Sequence, residues 1–134
     1  MRFLVFMIPE VYQPKNGKNT DPDFTPDAEM MAKMGRFNDE LTKAGALLSV
    51  DGLQPLTTGA RLAFSGGQAS VTDGPFIQTK EVIGGYWILQ AKSKQQVIDW
   101  MQRCPAQADD VIEIRQIAEM SDFPADVQAA ARGA

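Results

Sequence analysis

The sequence predicts a single α+β domain of the ferredoxin-like, split βαβ kind, built on an antiparallel sheet. Three observations predict it. Strand-like and helix-like stretches follow the order strand, helix, strand, hairpin strands, strand, helix, strand, which is two strand–helix–strand units with a hairpin between them. The 134 residues are 44% hydrophobic, enough for one core at ordinary domain size. No internal repeat and no shift in composition marks a second domain, so the domain is placed at residues 1–120, with residues 121–134 as an Ala-rich tail.

Residues 2–8 form the first strand, with Phe3, Val5 and Met7 on one face and Leu4, Phe6 and Ile8 on the other. This apolar run is too short for a membrane span and lacks a signal-peptide cleavage site. Residues 9–24 carry Pro, Asn, Asp, Lys and Gly without periodicity and read as a long loop. The first helix is expected to start at Thr25 as N-cap, with Pro26 at its first position and Asp27 and Glu29 in its first turn. Met30, Met34, Phe37, Leu41 and Ala44 draw one apolar stripe. Gly45 ends that helix as a left-handed cap.

Residues 46–50 follow as a strand and 51–55 as a turn. Residues 60–64 and 68–72 flank Ser65-Gly66-Gly67, a hairpin signature. Residues 82–91 form the longest strand-like run, and Gly84-Gly85 within it marks a bulge or a close backbone approach. A capping box over Ser93-Lys94-Gln95-Gln96 opens the second helix, whose stripe is Val97, Trp100, Met101 and Cys104, and Pro105 stops it. Residues 111–117 form the last strand, with Ile112 and Ile114 on one face and Val111, Glu113 and Arg115 on the other. The tail is expected to hold a short helix hung on Phe123 and Val127.

Two helices cover one face of a sheet, yet the first strand and Tyr86-Trp87-Ile88-Leu89 carry large apolar groups on both faces. A single chain would therefore expose a larger apolar patch than monomers usually tolerate. A two-fold homodimer, sheet to sheet, removes it.

Composition narrows the chemistry. A net charge of −4 with scattered basic residues argues against nucleic acid and against an anionic membrane surface. One cysteine, Cys104, excludes an internal disulfide and fits a reducing cytoplasm. The chain has no histidine, which removes Ser-His and Cys-His nucleophile pairs and His-ligated metals. No metal and no cofactor is expected, and any chemistry falls to carboxylates, Lys, Arg, Tyr, Ser, Thr or backbone groups.

Asp73-Gly74-Pro75-Phe76, followed by Lys80-Glu81 and Gly84-Gly85-Tyr86, resembles the DGPF branch of the YCII-related family. Phe37-Asn38-Asp39-Glu40-Leu41, Asp51-Gly52-Leu53-Gln54-Pro55, Arg103-Cys104-Pro105 and Ile112-Glu113-Ile114-Arg115 are similar to that branch as well, so the likeness spans roughly residues 1–120. The resemblance implies a dimeric α+β barrel. It also implies an enzymatic role for Asp73, or a link to extracytoplasmic-function sigma factors. Two departures bear on that role. Gln78 stands where the branch has an acidic residue, and the wider family's His–Asp pair cannot form without histidine.

Asp73 is the candidate catalytic residue, as a proton shuttle in a cofactor-independent lyase-like or isomerase-like reaction on a small organic substrate. Its other reading is an Asx-type turn fixed by Gly74 and Pro75. Phe76, Lys80, Glu81, Tyr86, Glu113 and Arg115 are the candidate ligand-binding residues. Lys80-Glu81 reads alternatively as a surface ion pair, Tyr86 as core or interface, and Glu113 with Arg115 as a cross-strand salt bridge at the dimer seam. Arg115 or Lys80 would hold a small anionic ligand. The competing expectation is a non-catalytic dimeric module that binds a small ligand or a regulatory partner.

Overall fold

The computed structural model describes residues 1–13, 25–74 and 81–133. Six strands and three α-helices follow one another as β1 (Arg2–Ile8), α1 (Ala28–Lys43), β2 (Leu47–Gly52), β3 (Ala60–Ser65), β4 (Gln68–Asp73), β5 (Gly85–Gln90), α2 (Lys94–Met101), β6 (Val111–Gln116) and α3 (Ala125–Arg132). Four of the strands form one sheet in the order β2-β5-β1-β6. Every pairing in it is antiparallel, and the crossovers are those of the ferredoxin-like arrangement.

The registers Val5↔Trp87 and Phe3↔Leu89 put these four side chains on one face, since directly opposed residues share a face. There they meet Phe37 and Leu41 of α1 and Val97 and Met101 of α2 to form the core. Each such side chain withdrawn from water contributes about 1.5–3 kcal/mol. Trp87 brings a polar atom inside, and its indole N–H donates to Asn38 Oδ1 at 2.8 Å. The Phe37 ring meets Trp87 edge-on, with centroids 6.3 Å apart, the arrangement that ring quadrupoles favour.

The helix ends differ in part from expectation. Asp27, not Thr25, is the N-cap of α1, because its carboxylate accepts from the Met30 amide at 2.8 Å. Gly45 does stop that helix with φ +72°. Ser93 caps α2 by accepting from the Gln96 amide. The returning bond of the expected box goes one residue further back, from the Lys92 amide to Gln96 Oε1. β2 lies slightly later than expected and carries a register shift between Leu47 and Ser49. β5 is shorter than the apolar run 82–91, because residues 82–84 leave the sheet to pack on the turn after β1.

β3 and β4 do not extend the main sheet but form a separate two-stranded arm. Gly66 and Gly67 close it in the left-handed region, at φ +58° and +80°, as a two-residue hairpin turn requires. The tail does form a helix, α3, but that helix buries none of its residues, and Phe123 and Val127 stay exposed rather than anchoring it. No helix among the described residues is long and apolar enough to cross a membrane.

Leu41 lies at the centre of the core and is 1% exposed. Leu41→Ala should therefore lower unfolding free energy by about 2–5 kcal/mol. Asp27→Ala, which removes only a cap, should cost about 1 kcal/mol. Urea denaturation of the two variants reads the difference.

Candidate functional site

α1 and the end of the sheet diverge around a cleft of about 680 Å³, well within the roughly 300–1,000 Å³ of small-molecule sites. Phe37 and Leu41 are buried in the core, whereas Met30 and Met34, earlier on the same stripe, are only half-buried and line the cleft. Met7 and Met31 add two more thioethers to the wall, beside Trp87. Unbranched thioethers adjust their shape to an occupant more readily than branched aliphatics do.

Three backbone devices fix the rim. Gly84 lies so close to the turn at residues 9–12 that a Cβ there would sit 2.5 Å from Pro9 Cγ and 2.9 Å from Tyr12 Cδ2. Its amide donates to the Met7 carbonyl at 2.8 Å, and its carbonyl accepts from the Leu53 amide at 2.9 Å. The Gln13 side chain acts as a short extra strand, accepting from the Val82 amide at 2.8 Å and donating to the Val82 carbonyl at 3.0 Å. The Asp110 carboxylate accepts from the Glu10 amide at 2.9 Å and the Gln107 amide at 2.8 Å. This last pair ties the segment 105–110 to the turn after β1 and holds two walls of the cleft together.

The polar side chains among the lining residues include Glu10, Tyr12, Asn38, Asp51, Tyr86, Gln107 and Asp110. Asp51 and Tyr86 are cross-strand partners, and the Tyr86 hydroxyl donates to Asp51 Oδ2 at 2.9 Å. Of the described lining residues, Glu10, Asp51 and Asp110 are acidic and none is Lys or Arg, and the Asp51 and Tyr86 side chains lie on the strand face opposite Trp87. Close by, the Cys104 thiol packs against the core, and its pKa is pushed up to about 11, first by burial and then by the negative charge of Asp110. No group of three His, Cys, Asp or Glu side chains converges as a metal site among the described residues.

The residues singled out from the sequence fall in separate places. Tyr86 lines the cleft. Asp73 is the exposed last residue of β4 and does not line the cleft. Gly74 beside it is half-buried, and its amide donates to the Gly59 carbonyl at 2.8 Å. A Cβ on Gly74 would collide with the Leu56 carbonyl, so the glycine lets the base of the arm press on the turn Leu56–Thr58. Glu81 is exposed. Phe76 and Lys80, with Pro75 and Gln78, lie outside the described residues. Glu113 and Arg115 pair at 3.6 Å along one strand, not across two. They occupy the face of the sheet opposite the helices, away from the cleft.

Sequence reasoning passed over Asp51, Asn38 and Asp110. Asp51 and Asp110 sit in loop-like contexts where Asp is a common turn former. Asn38 follows Phe37 directly, and only the pairing with Trp87 reveals what it does. The methionine stripe was read as helix packing, and its first turns line a cavity instead.

Two comparisons place the chain. The model of the YCII-related domain matches residues 2–121. An uncharacterized protein of Rhizobium meliloti (strain 1021) is 32% identical over 74 residues, covering 55% of this chain and 60% of the relative. The chain thus spans about three-fifths of that relative's length.

The thiol provides a test of the local packing. A thiol-specific reagent should modify Cys104 slowly near pH 8, and thiolate absorbance should appear only as pH approaches about 11. Asp110→Asn should move that titration downward, because it removes a negative charge beside the thiol. A thiol that titrates as in a free peptide would contradict this environment.

Proposed function

We propose that this chain, which belongs to the YCII-related family, is a dimeric module that binds a small organic molecule in the cleft between α1 and the sheet. The observation that carries the reading is the cleft itself, a methionine-rich cavity whose rim is tied by hydrogen bonds from Gln13 and Asp110 to main-chain groups. The acidic lining residues Glu10 and Asp110 favour a neutral or cationic ligand over the anionic one expected from Arg115 or Lys80. Arg115 already faces Glu113 on the other side of the sheet. A cytoplasmic setting fits the free thiol of Cys104.

A second reading keeps an enzymatic role for Asp73 as a proton shuttle in cofactor-independent chemistry. What favours it is the tight seat of Gly74 on Leu56 and Gly59, which holds the Asp73 backbone in one place. Asp73 does not line the cleft, so chemistry at Asp73 would be built apart from the ligand site. A regulatory partner such as a sigma factor would act through protein contacts, in keeping with a net charge of −4.

Small neutral and cationic aromatic compounds should raise the melting temperature and change the emission of Trp87, which lines the cleft. Met34→Trp should fill the cavity and weaken binding by at least ~10-fold while the chain stays folded. Binding that survives Met34→Trp unchanged would move the site elsewhere. If a turnover is found, Asp73→Asn should abolish it without affecting ligand affinity in the cleft.

A further inference from the structure

The arm formed by β3 and β4 has two different faces. Its register pairs Leu62 with Val71, Phe64 with Ala69 and Ala60 with Asp73 on one face. Arg61 with Thr72, Ala63 with Ser70 and Ser65 with Gln68 make up the other. One face is thus apolar and ends in Asp73, while the other is largely polar. Every residue of both strands is exposed, including Leu62 at 56%, Phe64 at 79% and Val71 at 63%. An isolated two-stranded hairpin is marginally stable in water, and one with an uncovered apolar face gains nothing from that face.

The main sheet poses the same problem. Opposite the helices, Leu4, Phe6, Tyr86 and Ile88 are half-buried and Val111 is exposed. Only Ile8, at the end of β1, is buried there. α3 buries none of its own residues.

We propose that the apolar face of the β3–β4 arm packs against a second copy of this chain and carries Asp73 into the interface between the two. The proposal rests on the dimeric reading above and extends it from the open sheet face to the arm. Area favours a second copy as the occupant. The open face spans roughly 20 by 19 Å, or about 400 Å² in projection, and the arm adds roughly 200 Å². Together they approach the ~800 Å² per partner of a standard stable interface, which the sheet face alone does not. Two-fold symmetry also places each arm against the same surface twice, so one apolar stripe covers two exposures. Asp73 shares the stripe with Leu62 and Val71, so burying the stripe brings this carboxylate to the seam. A site built on Asp73 would then draw its other groups from the second copy.

Sedimentation velocity across micromolar concentrations tests the proposal on the full chain and two double variants. Leu62→Lys with Phe64→Lys charges the apolar face, and Ala63→Lys with Ser70→Lys charges the polar face. The unaltered chain should be a dimer. The first variant should raise the dimer dissociation constant at least ~30-fold with circular dichroism unchanged, and the second should leave it unchanged. A monomeric unaltered chain would overturn both the dimeric reading and the arm. A dimer that tolerates the first variant would overturn the arm alone, as would equal weakening by both variants. Loss of tertiary circular dichroism in the first variant would also overturn it, because those side chains would then belong to the chain's own core.

Discussion

β1 carries apolar side chains on both of its faces, and the helices of one chain supply cover for only one. Most of the architecture follows from that asymmetry. The covered face is dry and specific, with Phe3, Val5, Trp87 and Leu89 locked under Phe37, Leu41, Val97 and Met101. The Trp87–Asn38 hydrogen bond satisfies the one indole donor that this packing removes from water. The open face is mixed, with Leu4, Phe6 and Ile88 beside Tyr86, Asp51, Glu113 and Arg115. That composition, apolar at the centre and charged toward the rim, resembles an interface more than a solvated surface.

The cleft arises where the covered face runs out. α1 extends past the last buried layer, and its methionines line the cleft together with Gly84 and with Gly85 at the start of β5, neither of which carries a side chain. The glycines serve the backbone, letting the turn at residues 9–12 settle against the strand. Their small size also leaves the volume that the cleft occupies. Gln13, Asp110 and Gly84 then fix the rim through hydrogen bonds to main-chain groups. A cavity held this way keeps its shape without a ligand, which lowers the ordering cost of binding.

The fold was legible in the sequence because each long element carries a strong periodic pattern. β1, the Gly66-Gly67 hairpin and β6 stand where spacing and turn residues place them, and α1 does so apart from its first turn, which Asp27 rather than Thr25 caps. The detachment of the hairpin from the main sheet was not legible, since alternation within β3 and β4 says which residues share a face and nothing about what that face meets. The site was less legible still. Asp73 stands out by its motif, yet among the described residues it is exposed beside the turn that Gly74 presses on. Asp51, Asn38 and Asp110 become notable only through partners far away in sequence, at separations of 35, 49 and 100 residues. Pairings of that range leave no local signal to read.

The arm and the open sheet face share one implication, that a second copy closes what one chain leaves uncovered. Amide hydrogen exchange measured over a range of protein concentrations tests this most directly. If a second copy covers the arm as proposed, protection of the β3–β4 amides should rise with concentration. Protection that stays constant on dilution would mean that the arm stands on its own, and the proposed packing of the arm on a second copy would fail with it.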